Sequence, residues 1–199
     1  MTRPAWRPIA ARAASLLLRY PDNAVVEALP LVSAALAGVP GTVAEPLGMV
    51  ADHRVTTGAL RLRTEYVELF DFRRRCALHL TYYTCGDTRK RGEALVGFAA
   101  EYKAAGWKVV DGELPDYLPA VLDLAAVDDG GWRLLRDNRV GLDVLAEALA
   151  KEKSVYRHAV EAVRRMLPPP GPEEVRAVAQ LARAGPPAER VGLRPFGVQ

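Results

Sequence analysis

The chain has 199 residues, which is enough for one generous domain and marginal for two. Half of the residues are hydrophobic while only 7% are aromatic, and the abundance of alanine and leucine favours helices over sheets. The 27 lysines and arginines face 24 aspartates and glutamates, which leaves a net charge of +3. This excess is smaller than a general nucleic-acid-binding protein usually carries on one face.

Neither secretion nor membrane insertion is indicated by the sequence. The two cysteines, Cys76 and Cys85, do not make the disulfide framework of a small secreted protein. The N-terminal segment contains no uninterrupted apolar run long enough for a signal sequence. No apolar stretch approaches the roughly 20 residues that a membrane-spanning helix needs. We therefore expect a cytoplasmic protein.

Apolar residues recur at helical spacing from the start of the chain and predict four helices in its first third. Asp22 or Asn23 can cap the second helix, because a short polar side chain accepts hydrogen bonds from the free N–H groups of the first turn. Pro30 is expected to bend or split this second helix. Residues 42–54 predict a third, weaker helix, and a fourth follows it.

The second part of the chain predicts further helices separated by short loops. Residues 71–86 are ambiguous and are interpreted as a connecting segment followed by a short helical turn. A fifth helix is predicted over about 88–105, and Pro115 suits the first position of a sixth. Apolar stripes over 135–149 and 155–166 predict the seventh and eighth helices. The sequence thus predicts an all-α, single-domain bundle of about eight helices.

Residues that could carry catalysis or hold a metal are few. Cys76, His79 and Cys85 are three soft ligands in one short segment, but a structural zinc site needs a fourth. We interpret them as two ordinary thiols and an ordinary histidine. No glycine-rich phosphate loop and no nucleophile elbow is found in the sequence. We therefore expect no catalytic residues, no metal site and no enzymatic activity.

Two basic triplets flank one aromatic segment, and two interpretations of this arrangement stay open. Arg73–Arg75 and Arg89–Arg91 lie on either side of Tyr82 and Tyr83. A water-exposed charged turn is the simpler interpretation of any single residue. Binding of a partner explains two triplets around aromatic residues equally well. Asp87 is expected to cap the fifth helix, whose N-terminus disfavours cations.

The segment before the sixth helix also has two interpretations of equal weight. Its prolines can simply fix how the helix begins. Alternatively, Asp116, Tyr117 and Leu118 rim a cleft against the triplet Arg73–Arg75. The periodicity of the chain does not decide between a structural role and a binding role here.

Several motifs together resemble the signature of one protein family over about Leu16 to Leu167. They are LLLRYPD at 16–22, EYVELFDF at 65–72, RRR at 73–75, LTYYT at 80–84, GDTRKRG at 86–92 and LPDYLP at 114–119. This set is similar to that of the NarJ-type assembly chaperones of respiratory nitrate reductase. Those proteins are relatives of the TorD and DmsD redox-enzyme maturation proteins.

The resemblance implies a TorD-like helical chaperone with no cofactor of its own. Such a protein binds the N-terminal segment of the apo catalytic (alpha) subunit of nitrate reductase and assists insertion of the molybdenum cofactor. It leaves before the mature membrane-bound enzyme works, so neither stable membrane association nor nucleic-acid binding is implied. A chaperone for another molybdoenzyme is the alternative, and a basic nucleic-acid-binding helical module is a weaker one. The oligomeric state stays open.

For such a chaperone we expect an apolar groove with a charged rim. The candidate peptide-binding residues are Tyr66, Leu69, Phe70, Arg73, Arg74, Arg75, Tyr82, Tyr83, Asp87, Arg89, Arg91, Asp116 and Leu118. Residues 1–167 are expected to form the helical chaperone domain, and 168–199 a proline-rich extension with one short helix. We expect this helix, over 173–184, to pack on the client groove when no client is bound.

Overall fold

The computed structural model describes residues 4–109 and 112–187, and within these ranges the chain is all-α. A 3₁₀ turn at Arg74–Cys76 lies between the fourth and fifth helices. The α-helices are α1 (Trp6–Leu18), α2 (Asn23–Leu36), α3 (Gly41–Thr56), α4 (Ala59–Phe70), α5 (Leu80–Cys85), α6 (Arg89–Ala104), α7 (Leu118–Val127), α8 (Asp129–Asp137), α9 (Arg139–Lys151), α10 (Arg157–Arg165) and α11 (Pro172–Ala184).

Within the described ranges the bundle has eleven α-helices where about eight were predicted, for three reasons. The seventh apolar stripe forms two helices, α8 and α9, which meet at Asn138; its side chain donates to the Leu134 carbonyl oxygen at 2.9 Å. The short helical turn after the 3₁₀ segment and the helix of the extension each add one more. The sixth predicted helix, α7, begins at Leu118 and not at Pro115.

The structure tests the predicted caps of α2 and α6 and the predicted effect of Pro30 on α2. The Asp22 side chain accepts a 2.8 Å hydrogen bond from the Val25 N–H, which confirms it as the cap of α2. Pro30 lies inside α2 without dividing it. Asp87 does not cap α6, because Thr88 occupies the capping position.

The core is organised around α1, which packs on α2, α3, α7 and α10. Ala10, Ala11 and Ala14 are fully buried, and their small side chains allow neighbouring helices to approach closely. The Ser15 hydroxyl donates to the Pro119 carbonyl oxygen at 2.8 Å, which links α1 to the first turn of α7.

The C-terminal extension contributes α11, which packs on α9. The part of the extension beyond residue 187 lies outside the described residues. In the ranges that the structure describes, none of the helices combines the length and apolar character needed to cross a bilayer.

Candidate functional site

A short antiparallel bridge joins two segments that lie far apart in the sequence. His79 and Tyr117 form the bridge, and the Leu118 N–H donates to the Leu78 carbonyl oxygen at 2.7 Å. The rings of His79 and Tyr117 lie 5.6 Å apart between centroids. The bridge fixes the segment before α5 against the start of α7, so that the two aromatic side chains lie side by side.

A buried carboxylate holds this junction together. Asp116 is fully buried and accepts hydrogen bonds from the Thr81 N–H at 3.1 Å, the Thr81 hydroxyl at 2.5 Å and His79 Nδ1 at 3.1 Å. Arg91 Nη2 lies 3.8 Å from the same carboxylate. Burial alone would raise the pKa of Asp116, but the bonds from His79 and Thr81 and the charge of Arg91 outweigh it and lower the pKa.

The direction of the hydrogen bond between His79 and Asp116 follows from the charge of this carboxylate. Since the pKa of Asp116 is lowered, the group is ionised at neutral pH and can only accept hydrogen bonds. Nδ1 of His79 therefore carries the proton that it donates to Asp116, as a histidine oriented by a carboxylate does. In the neutral ring Nε2 is then an acceptor, on a side chain that is 32% exposed.

Aromatic side chains pack next to this junction. The Tyr66 ring lies 5.5 Å from that of Tyr20 and 4.7 Å from that of Phe70. The Tyr66 hydroxyl donates to the Leu18 carbonyl oxygen at 2.9 Å, which leaves the Tyr117 hydroxyl to donate to the Tyr66 oxygen at 3.2 Å. Burial raises the pKa of Tyr66 well above its usual value, so this phenol stays protonated.

These side chains line an open recess of about 330 Å³, which lies between the end of α1, the end of α4 and the bridge. Tyr66 and Phe70 are almost fully buried, whereas Tyr20 is 43% exposed. The lining residues are Tyr20, Tyr66, Phe70, Asp71, Leu78, His79 and Tyr117. The recess therefore offers an aromatic surface bordered by hydroxyl, imidazole and carboxylate groups.

A buried arginine fixes the end of α1 that carries Tyr20. Arg54 of α3 is 2% exposed, and its guanidinium donates to the Leu16 carbonyl oxygen at 2.7 Å and to the Arg19 carbonyl oxygen. It satisfies carbonyl groups that the end of a helix leaves without partners. The wall of the recess formed by Tyr20 is thereby held in place from the core side.

The candidate peptide-binding residues do not gather around one opening. Tyr66 and Phe70 line the recess. Leu69 and Arg73 line a more polar pocket of about 440 Å³ on another face of α4, where Arg73 forms an ion pair with Glu152. The two sides of this one helix thus contribute to two different pockets.

The two basic triplets also lie in separate surroundings. Arg74 and Arg89 are both exposed. Arg91 is half-buried, forms a 3.2 Å ion pair with the exposed Asp87, and lies 6.0 Å from the ring centroid of Tyr82. The triplets therefore do not make a single charged rim.

Three of the candidates lie in the interior. Leu118 is fully buried in the core, and Asp116 binds His79 and Thr81 beneath the surface, so neither faces an open groove as expected. Tyr83 is 1% exposed and borders a narrow crevice under α11 together with the exposed Arg75. Of the two interpretations of the segment before α7, the burial of Asp116 and Leu118 favours the structural role over a cleft against the triplet at 73–75.

Five of the seven residues that line the recess are not among the candidate peptide-binding residues: Tyr20, Asp71, Leu78, His79 and Tyr117. Tyr20 and Tyr117 lie inside the motifs at 16–22 and 114–119, so the resemblance contained a signal for them. His79 had no such signal, because its pairing with the distant Asp116 depends on the fold.

The two cysteines are expected to differ in reactivity. Burial raises the pKa of Cys76 to about 11, so its reactive thiolate is scarce at pH 8. Cys85 is half-buried. We predict that iodoacetamide at pH 8 modifies the native protein at Cys85 and not at Cys76, as peptide mass spectrometry will report; modification of both at similar rates would contradict the burial.

Among the residues described, no three histidine, cysteine or acidic side chains are grouped as metal ligands.

Comparison with known proteins gives the chain its relatives. The profile of the family described as nitrate reductase delta subunit matches residues 33–162. The nitrate reductase-like protein NarX of Mycobacterium tuberculosis is 38% identical over 162 residues, which cover 80% of this chain and 24% of NarX. The chain thus spans about a quarter of that relative.

Two shorter relatives and one solved structure complete the comparison. NarJ of Bacillus subtilis is 29% identical over 75% of this chain and 83% of its own length. The nitrate reductase molybdenum cofactor assembly chaperone NarJ of Escherichia coli is 35% identical over 56% of this chain and 49% of its own. A crystal structure described as a redox enzyme maturation protein from Archaeoglobus fulgidus shares the fold, with a TM-score of 0.60, 22% identity and coverage of 80% of this chain and 92% of that one.

The profile match extends over more than half of the chain and includes the residues of α4, the bridge and α7 that build the recess. The fold, the match and the relatives together confirm the resemblance to NarJ-type proteins, and the chain belongs to the nitrate reductase delta subunit family.

Proposed function

We propose that this protein is a cytoplasmic chaperone that binds the apo catalytic subunit of a nitrate reductase and assists insertion of the molybdenum cofactor. The names of its NarJ relatives support the client and the process, and they describe assembly chaperones and not catalysts. The observation that carries the contact is the aromatic recess between α1, α4 and the bridge. The N-terminal segment of the client is the proposed ligand.

The size and lining of the recess fit a single large apolar side chain of a peptide. Its volume of about 330 Å³ exceeds the space of one such side chain but is far too small for a folded partner. Full burial of a leucine or phenylalanine contributes about 1.5–3 kcal/mol. That contribution anchors a segment without holding it permanently, as a chaperone that releases its client requires.

The polar groups at the border of the recess orient the client segment. Nε2 of His79 accepts a hydrogen bond from a client N–H, because Asp116 fixes the proton on Nδ1. The Tyr117 ring lies next to it, 5.6 Å from the His79 ring between centroids. Arg91 and Asp116 act beneath the surface as positioning residues. A client segment with an apolar anchor and a free backbone N–H nearby matches this set of groups.

For the candidate residues outside the recess, a role in peptide binding stays a prediction, as parts of a wider contact surface. Leu69 and Arg73 belong to the adjacent polar pocket and are reached by a longer client segment that crosses α4. Arg73 and Arg91 both form ion pairs with acidic side chains of this protein, which weakens the nucleic-acid alternative. A chaperone for another molybdoenzyme remains the alternative client assignment.

Replacing Tyr20 tests the recess. Tyr20→Ala removes an exposed wall and leaves the buried Tyr66 in place. We expect affinity for a labelled peptide from the N-terminus of the catalytic subunit to fall about 10–30-fold, since an aromatic contact at the centre of an interface commonly contributes about 2 kcal/mol. Fluorescence anisotropy gives the affinity.

Leu60→Ala is the matched control for Tyr20→Ala, because Leu60 is 82% exposed on α4 and lies outside the recess. It should leave the affinity within about two-fold, since a singly exposed side chain contributes little. Circular dichroism checks that both variants keep the helical fold. Equal affinities for the Tyr20 and Leu60 variants would mean that the peptide binds elsewhere.

A further inference from the structure

The last described helix, α11, contributes a single buried residue to its contact with the rest of the protein. In α11, Val178 is the one residue that the structure buries; Leu181 is partly buried, and Val175 is 53% exposed. The helix packs on α9 and borders Arg75 and Tyr83, away from the recess. It therefore does not cover the recess.

The interface beneath α11 is incompletely filled. A crevice of about 30 Å³ remains between the helix and the body of the protein. Tyr83, Val144 and Ala148 line it from one side, and Leu181 lines it from the other. Side chains that border such a gap lose dispersion contacts that a better-fitting helix would make. The groove is apolar and already accommodates a helix, with a small gap left beneath it.

Charged side chains at this crevice form no ion pairs among residues 4–109 and 112–187. Two cations, Arg75 and Lys151, and one carboxylate, Glu147, line it, so the crevice carries more positive than negative charge. The acidic side chains of α11 are used elsewhere: Glu173 lies 4.0 Å from Arg176, and Glu174 accepts from the Gly171 N–H at 2.6 Å. No carboxylate of α11 thus pairs with the two cations.

We propose that the surface formed by α9, the 3₁₀ turn and α5 is a second binding groove, which takes an amphipathic helix of a partner protein with an apolar stripe and a carboxylate directed at Arg75 and Lys151. In the free protein α11 occupies this groove as a replaceable substitute. Helix-in-groove recognition needs this combination of an apolar trough and charges at its edge.

The tether explains how so small a contact keeps α11 in place. Residues 168–171, Pro-Pro-Pro-Gly, form a short, stiff connection from α10, and the Arg139 guanidinium holds the Pro168 carbonyl oxygen. A short tether keeps the local concentration of α11 near the millimolar range. A partner helix replaces α11 when it fills the groove better and pairs with the cations.

Undocking α11 in the full-length chain tests the groove. Val178→Asp places a charge in the buried contact, and Val175→Asp makes the same change at an exposed position of the same helix. The probe is a labelled synthetic peptide of residues 172–185. We expect the Val178 variant to bind this peptide at least ten-fold more tightly than the Val175 variant or the unchanged protein, because its own α11 no longer competes. Hydrogen exchange of α11 checks that the helix is released.

Two outcomes would overturn the proposal. If α11 is released in the Val178 variant and the peptide still does not bind, the surface is not a helix-binding groove. If neither Val178→Asp nor Leu181→Asp releases α11, the helix is a fixed part of the fold. Because the probe is a segment of this chain, both results are independent of the nitrate reductase assignment.

The charge requirement is tested with an altered probe. Ala182 lines the crevice together with Arg75 and Lys151, so a peptide with Ala182→Glu offers the missing carboxylate. We expect this peptide to bind the Val178 variant about 2–5-fold more tightly than the natural peptide does at low salt. A single partly exposed ion pair contributes a binding free energy of about this size. The gain should disappear when Lys151→Ala and Arg75→Ala are added. A gain that survives these changes would refute the charge assignment.

Discussion

Replacing Asp116 with asparagine is expected to lower the free energy of unfolding by about 2–4 kcal/mol at pH 7, measured by urea denaturation. The substitution keeps the shape of the side chain but removes the charge that Thr81, His79 and Arg91 approach in a fully buried site. Hydrogen bonds to a buried charged group contribute more than neutral ones, and a broken buried pair leaves its partners unsatisfied. The junction that builds one wall of the recess should loosen with it.

The lowered pKa of Asp116 determines how the stabilisation by this residue changes with pH. Because the folded protein lowers the pKa of Asp116, the stabilisation is fully present above the ordinary value of 3.8 and is lost as the pH falls through the lower folded pKa. The difference between the unchanged protein and Asp116→Asn should therefore be present at neutral pH and shrink as the pH falls below about 3.8. A difference that persists undiminished well below 3.8 would contradict the ionised carboxylate.

Asp87→Asn is the matched control, because Asp87 and Asp116 share Arg91 as a partner. The side chain of Asp87 is 65% exposed, so its ion pair is screened by water and salt. We expect a change within about 0.5 kcal/mol. Equal effects of the two substitutions would show that burial of the Asp116 network is not what stabilises the junction.

A second large effect is expected at the contact between α7 and α8. Gly131→Ala should lower the free energy of unfolding by about 3 kcal/mol or more, because a Cβ there would lie 2.1 Å from the Ala125 backbone nitrogen and 2.7 Å from the Leu124 carbonyl carbon. Backbone atoms cannot move aside as a flexible side chain can. The two helices would have to separate, and thermal unfolding would report the loss.

The opposite result is expected for a glycine in open surroundings. Gly97 lies in α6, and a Cβ added there meets no heavy atom within 4 Å. Gly97→Ala should stabilise the protein by about 0.5–1 kcal/mol, since alanine loses less conformational freedom in a helix. If both glycine variants changed stability equally, the close approach of α7 and α8 would not be the cause.

The helices could be predicted because their signals are local. Asp22 caps α2 through a hydrogen bond to a residue three positions away, and apolar spacing alone indicates which face of a helix is buried. The division between α8 and α9 escaped prediction because the apolar stripe continues through Asn138, where the chain changes direction. Periodicity records which residues are buried, but not where two buried helices meet.

The recess escaped prediction because its walls come from distant parts of the chain. Tyr20 follows the end of α1, Tyr66 belongs to α4 and Tyr117 lies just before α7, and no local pattern brings them together. Asp116 looked like a surface charge beside arginines. Its burial depends on Thr81 and His79, which become its partners only after the bridge has formed.

A site-specific photo-crosslink tests the central claim most directly. A photoreactive phenylalanine analogue placed at Tyr20 borders the recess, and the same analogue at Leu60 lies outside it on an exposed turn of α4. With the apo catalytic subunit of nitrate reductase present, we predict that the Tyr20 position crosslinks to its N-terminal segment and the Leu60 position does not. Crosslinking at Leu60 alone, or at neither position although the two proteins co-purify, would contradict the recess as the binding site.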